Sequence, residues 1–195
     1  MKKFTTILFV GLASIALVAC SSNAGKKEDS KASEAKTEQA SSSTATEDPN
    51  VSSEFKAALK KAKSYSKTAH LSKEGMVKQL TEFEKFPEDA AQYAVENAGI
   101  DWKEEAVEKA KSYSKTAHLS KAGMINQLTE FEKFPEEEAQ YAVENAGIDW
   151  KKEAVEKAKS YQKSAGLSNE ALKNQLTEFE KFTEEEAQYA VEHLE

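Results

Sequence analysis

Three serine and lysine pairs at one fixed spacing are the first residues with chemical potential: Ser64 and Lys67, Ser112 and Lys115, Ser160 and Lys163. A serine three residues ahead of a lysine on a helix sets a hydroxyl beside an amine that could take its proton, as in penicillin-binding enzymes. Those enzymes also need Ser-Asp-Asn and Lys-Thr-Gly elements, and neither tripeptide occurs in this chain. We therefore read these serines and lysines as helix-surface residues. His70 and His118 are successive copies of one position that holds Gly166 the third time, and His193 lies near the C-terminus. Without neighbouring Cys or His ligands they mark neither a metal site nor repeated acid-base chemistry, and we expect solvated loop histidines. The densest ionisable groups are acidic: Glu136, Glu137 and Glu138, then Glu184, Glu185 and Glu186. In a first helical turn the helix dipole favours carboxylates, and the same charge would complement a basic segment of a partner. These six are the candidate partner-binding residues. No catalytic group, metal site or cofactor is expected, and the chain is not read as an enzyme.

One cysteine, Cys20, excludes a disulfide framework. It follows a positive start, Met1-Lys2-Lys3, and an apolar run from Phe4 to Ala19, the pattern of a secretory signal peptide and short for a spanning helix. The end of that run, Leu17-Val18-Ala19-Cys20, resembles the lipobox of bacterial lipoproteins, whose cysteine thiol takes a diacylglycerol before cleavage leaves it as the new N-terminus. We expect lipid attachment at Cys20, with acyl chains such as palmitate, after removal of a leader over 1–19. Two acyl chains hold a protein stably where one does not, so the expected location is the cell membrane, lipid-anchored, on its extracellular face. Residues 21–50 contain no aromatic residue and no Leu, Ile, Val or Met. Such a stretch cannot bury enough apolar surface to offset its ordering entropy. As a flexible coil it would span on the order of 30 Å, so residues 20–52 read as a lipidated N-terminus and disordered tether.

The elements that position these residues follow from composition and repetition. The chain has 195 residues, 31% of them charged, with seven glycines and three prolines, which favours helix over sheet. All 27 positive residues are lysine. Arginine, which reads guanine and grips phosphate bidentately, is absent, and with an acidic body this argues against a nucleic-acid partner. After Asn50 the sequence repeats every 48 residues without insertion, as Tyr65, Tyr113 and Tyr161 show. We predict an all-α fold of three tandem three-helix repeats, 53–100, 101–148 and 149–195. In the middle copy Asp101 and Glu104 suggest a capping box for a first helix carrying Trp102, Ala106, Val107, Ala110, Tyr113 and Ala117. Ser120 caps a short second helix with Met124, Ile125 and Leu128 on its apolar stripe, and Phe131 and Phe134 follow as expected core plugs. A third helix begins near Pro135; in the last copy Thr183 and Glu186 form a capping box at the same boundary.

The joints between repeats are short. Val95 to Ile100 fits a helix ending with Gly99 left-handed and Ile100 folding back on Val95, after which Asp101 caps the next helix at once; Val143 to Asp149 repeats this. The units should then pack as a short rod. Trp102 and Trp150 stand at the joints where the first copy has Glu54, and two readings stay open: burial against the preceding unit, or completion of the core of their own unit. Acidity rises along the chain, from 8 lysines against 7 acids in 53–100 to 6 against 10 in 101–148 and 7 against 11 in 149–195.

Several strings resemble the repeat of the Ltp-type host cell surface-exposed lipoproteins, the superinfection exclusion lipoproteins of phages and their Gram-positive hosts. They are Tyr113-Ser114-Lys115-Thr116-Ala117, Leu119-Ser120-Lys121 with Gly123, Gln127-Leu128-Thr129, Lys133-Phe134, and Glu137-Glu138-Ala139-Gln140-Tyr141-Ala142-Val143. The resemblance covers all three repeats and includes the lipobox at Cys20. It implies helix-turn-helix-like packing of the repeats and superinfection exclusion: a surface lipoprotein that blocks DNA injection by an incoming phage through those repeats, by binding a phage protein or a protein at the site of DNA uptake. A phage injection protein with a basic segment is the expected partner, beside the membrane itself. The alternative is a host envelope lipoprotein that binds wall polymer or another surface protein.

Overall fold

A computed structural model describes residues 51–194. The expected leader, the lipid site Cys20 and nearly all of the tether lie outside the described residues. Among the described residues there are nine α-helices and three π-helical turns, and no strand. The first repeat holds α1 (Ser53–Ser66), α2 (Lys73–Lys78) with a π-turn over Gln79–Phe83, and α3 (Glu88–Asn97). The second holds α4 (Trp102–Ser114), α5 (Lys121–Asn126) with a π-turn over Gln127–Phe131, and α6 (Glu136–Asn145). The third holds α7 (Trp150–Ala165), α8 (Asn169–Asn174) with a π-turn over Gln175–Phe179, and α9 (Glu184–Glu192).

Most helix starts have a side-chain cap that the sequence supplies; α3 and α6 instead follow Pro87 and Pro135 and have none. The Ser72 and Ser120 hydroxyls accept from the Gly75 and Gly123 amides at 3.0 and 2.9 Å, satisfying donors that the first turn leaves open. Asp101 accepts from the amides of Lys103 and Glu104. The full reciprocal box is present at Thr183 and Glu186, whose mutual bonds are 2.9 and 3.2 Å. Helix α4 stops at Ser114, so Ala117 lies in the following turn, where its amide still bonds the Tyr113 carbonyl.

In every repeat the first and third helices pack on each other, and the second closes the core beneath them. In the second repeat Ala106 and Ala110 of α4 meet Ala139 and Ala142 of α6, all fully buried, and side chains this small let two helix backbones come close. Met124, Leu128 and Phe134 fill the remaining space, each worth about 1.5–3 kcal/mol of apolar burial. Phe131 does not join them. The π-turn spreads its hydrogen bond over five residues, as in Glu132 N–H to the Gln127 carbonyl, so the next inward position after Leu128 falls on Glu132 rather than Phe131. Phe131 is left 69% exposed, and its copies Phe83 and Phe179 are 67% and 72% exposed.

A 48-residue unit is marginal alone, and the joints couple the three. Gly99 and Gly147 stand at φ +65° and +66°, the left-handed conformation expected of them. Ile100 and Trp102 pack on the first repeat's core with Val95, and Ile148 and Trp150 pack on the second. Of the two readings, burial of each tryptophan against the preceding unit is the one the structure shows.

Candidate functional site

Glu105 and Glu153 lie near the start of α4 and α7, almost wholly buried at 8% and 6% exposure. Each receives two groups from the repeat before it. Ser66 Oγ donates to Glu105 Oε1 and His70 Nδ1 lies 3.1 Å from Oε2. One joint later Ser114 Oγ donates to Glu153 Oε1 at 2.6 Å and His118 Nδ1 lies 3.1 Å from Oε2. A third bond crosses each joint: Ser72 Oγ donates to the Glu132 carbonyl and Ser120 Oγ to the Glu180 carbonyl, both at 2.6 Å. Serine, histidine and glutamate are the members of a hydrolytic triad, but the connectivity is wrong for one. Both partners bond the carboxylate, so the imidazole is not placed to take the serine proton.

His70 and His118 are accordingly not the solvated loop residues expected. They are partly buried joint residues, held in the left-handed region at φ 48° and 49°. His193 alone fits the expectation of exposure; it stacks on Tyr189 at 3.8 Å and its Nδ1 donates to the Tyr189 carbonyl. Ser64 and Lys67 and their copies at 112, 115, 160 and 163 are all exposed, as expected of helix-surface residues. An open cleft of about 350 Å³ sits at the first joint, lined by Lys63, Lys67, Asp101 and Glu104 and by Ala98 and Ile100. Among the described residues no group of three or more His, Cys, Asp and Glu could hold a metal.

Within each repeat a second polar cluster ties the first helix to the π-turn. Tyr113 donates to Glu132, Gln127 Nε2 donates to the Tyr113 oxygen at 3.0 Å, and Lys109 lies 3.3 Å from Glu132. Burial, and then the adjoining Glu132 carboxylate, pushes the Tyr113 phenol up to about 12, so at neutral pH it is a donor and no nucleophile. The first repeat repeats the cluster with Tyr65, Glu84, Gln79 and Lys61, and the third with Tyr161, Glu180, Gln175 and Lys157. Lys61, then Tyr65, holds Glu84 below the usual carboxylate range.

The two acidic triplets open α6 and α9 as expected, but much of their charge is already met within the chain. Glu137 pairs with Lys103 and Glu185 with Lys151, both at 2.6 Å, and each lysine lies over a tyrosine ring, Tyr141 or Tyr189. These lysines hold Glu137 and Glu185 below the ordinary value. Glu184 lies 3.0 Å from Lys173, and Glu186 closes its capping box. Glu136 accepts from Gln140. Glu138 differs: one oxygen is buried with no hydrogen-bond partner, and burial followed by the Glu137 charge raises its pKa. Among the described residues Phe83, Phe131 and Phe179 are the most exposed large apolar side chains.

A family model described as host cell surface-exposed lipoprotein, Lipoprotein_Ltp, matches residues 53–98, 101–146 and 149–194, one match for each set of three helices. The chain belongs to this family. A solved structure with related sequence is Ltp, a superinfection exclusion protein from the Streptococcus thermophilus temperate phage TP-J34; identity is 48%, over 48% of this chain and 95% of that one, with a TM-score of 0.47. A search of the curated proteins returns no match. Family members are host cell surface-exposed lipoproteins by description. Among the described residues no helix is long and apolar enough to cross a membrane, and the expected lipid site Cys20 lies outside them.

Proposed function

We propose that this chain is a lipid-anchored, non-enzymatic superinfection exclusion protein. It stands on the outer face of the cell membrane, held through diacylglycerol on Cys20, and binds a component of an incoming phage, or a protein at its site of DNA uptake, so that genome transfer stalls. Membership in a family of surface-exposed lipoproteins supports this, as does 48% identity to a phage superinfection exclusion protein across nearly all of that protein. The observation that carries the reading is Phe83, Phe131 and Phe179. One large apolar side chain per repeat is held out of the core by a π-turn, beside exposed Glu82, Glu130 and Glu178, and this threefold repetition of an exposed phenylalanine supports a protein partner. A partner segment with apolar and basic residues would meet both features.

The test is a paired assay on phage-sensitive cells with and without the wild-type chain, measuring phage adsorption and phage DNA uptake. Exclusion requires unchanged adsorption and blocked uptake for at least one phage. Normal uptake across a broad panel of phages contradicts it.

A further inference from the structure

The two interior joints are equivalent bond by bond, and that equivalence creates a hazard. A face on the last repeat that matched the joint-forming face of the first would let chains add head to tail. Such heterologous contacts do not close and build open filaments. We infer that both end faces of the array are altered at the joint residues so that a second copy of this chain is refused.

On the leading face, the carboxylate of Glu105 and Glu153 is replaced by Ala57, and the tryptophan of Trp102 and Trp150 by Glu54; both replacements are exposed. On the trailing face, Gln162 stands where Ser66 and Ser114 donate, and Gly166 stands where His70 and His118 bond the carboxylate; both are again exposed. Gly166 keeps the left-handed backbone of its histidine counterparts, at φ +60°, so the turn survives while the imidazole is gone. Ser168 still caps α8 through the Ala171 amide, but it is exposed, whereas Ser72 and Ser120 are buried beneath the next repeat. Leu194 occupies the position of Ala98 and Ala146 and packs on its own repeat's core. A larger apolar residue there covers apolar surface that the next repeat's tryptophan covers at interior joints.

The substitutions are matched in kind. The leading end has lost the carboxylate and the trailing end the two groups that bond it; of the three joint donors only the Ser168 hydroxyl remains, and it is exposed to water. Glu54 adds refusal, because a carboxylate in place of the tryptophan would be desolvated against apolar surface. This applies to the ends of the array and is independent of what the exposed phenylalanines bind.

The experiment uses two full-length chains in detergent. One, E54W/A57E, regains the leading half of a joint, and the other, Q162S/G166H/L194A, regains the trailing half. Native mass spectrometry counts protomers, and circular dichroism confirms that each chain keeps the wild-type helical content; Q162S/G166H replaces the triple variant if L194A disturbs the last repeat. The wild type and each variant alone should be monomeric. The mixture should form a one-to-one complex, and a chain carrying all five changes should form trimers and longer species. A wild-type chain that already associates through its ends, or a mixture of folded variants that stays monomeric, overturns the inference.

Discussion

Glu153→Ala is the sharpest perturbation of the architecture, because it removes the hub of a joint without touching the apolar core. Glu153 is nearly buried and accepts from Ser114 and is bonded by His118, both from the preceding repeat. Hydrogen bonds to a charged group contribute about 1.5–3 kcal/mol each; Ser114 and His118 are half-buried and partly re-bond to water, which leaves a loss of about 2–4 kcal/mol. For a chain of this size that is a fall in Tm of roughly 5–15 °C. The assay is thermal unfolding followed by circular dichroism, with Glu96→Ala at an exposed position as the reference; a surface change of that kind stays within about 0.5 kcal/mol. A double-mutant cycle with His118→Ala should give a coupling of roughly 0.5–3 kcal/mol. A Glu153→Ala chain no less stable than the Glu96→Ala chain, or a cycle that is strictly additive, refutes the joint as described.

Gly99→Val forces a β-branched residue to φ +65°, where left-handed backbone costs about 1–2 kcal/mol for ordinary residues and more with branching, and chemical denaturation should show a loss of at least that size. The Tyr113 phenol is raised in the fold, so its contribution is fully present below the free tyrosine value near 10 and is lost as pH rises through about 12. Burial and its Glu180 partner raise the Tyr161 phenol as well, so phenolate absorbance should show both tyrosines titrating late, and Tyr113→Phe should shrink that late step without abolishing it. Cys20→Ala should abolish incorporation of radioactive palmitate, and a wild-type chain that takes up no label would contradict lipid anchoring.

Much of this fold is legible in the residues because the repeat restates each signal three times. The 48-residue period, the glycines at 99 and 147 and the box at Thr183 and Glu186 each specify a local conformation by backbone physics alone, and the structure has all of them. Phe131 is exposed where a core plug is expected, because the chain after Leu128 continues as a π-turn whose inward position falls on Glu132, and nothing in residue type marks that turn. The joint was hidden for a different reason. Glu105 meets Ser66 and His70 across 39 and 35 residues, a distance at which no helical or strand period relates side chains. The available signal was the mismatch between copies, Ala57 at one end together with Gln162 and Gly166 at the other, since groups absent only at the array's ends are groups that need a neighbour. The acidic triplets stand at helix starts, as their spacing indicates, but lysines 103, 151 and 173, which meet three of their carboxylates, come from other helices.

The exclusion proposed here is capture through the exposed phenylalanines rather than catalysis. Its most direct measurement is phage DNA uptake in cells displaying F83S/F131S/F179S beside cells displaying the wild type, at equal surface amounts. These side chains are about two-thirds or more exposed, so the substituted chain should keep its Tm within a few degrees. Capture through these side chains requires normal adsorption in both, blocked uptake with the wild type, and restored uptake with the serine form. Substituting glutamine at Glu136, Glu137, Glu138, Glu184, Glu185 and Glu186 should weaken protection less, because several of those carboxylates are held by lysines within the chain. Full protection by the folded serine form contradicts the account.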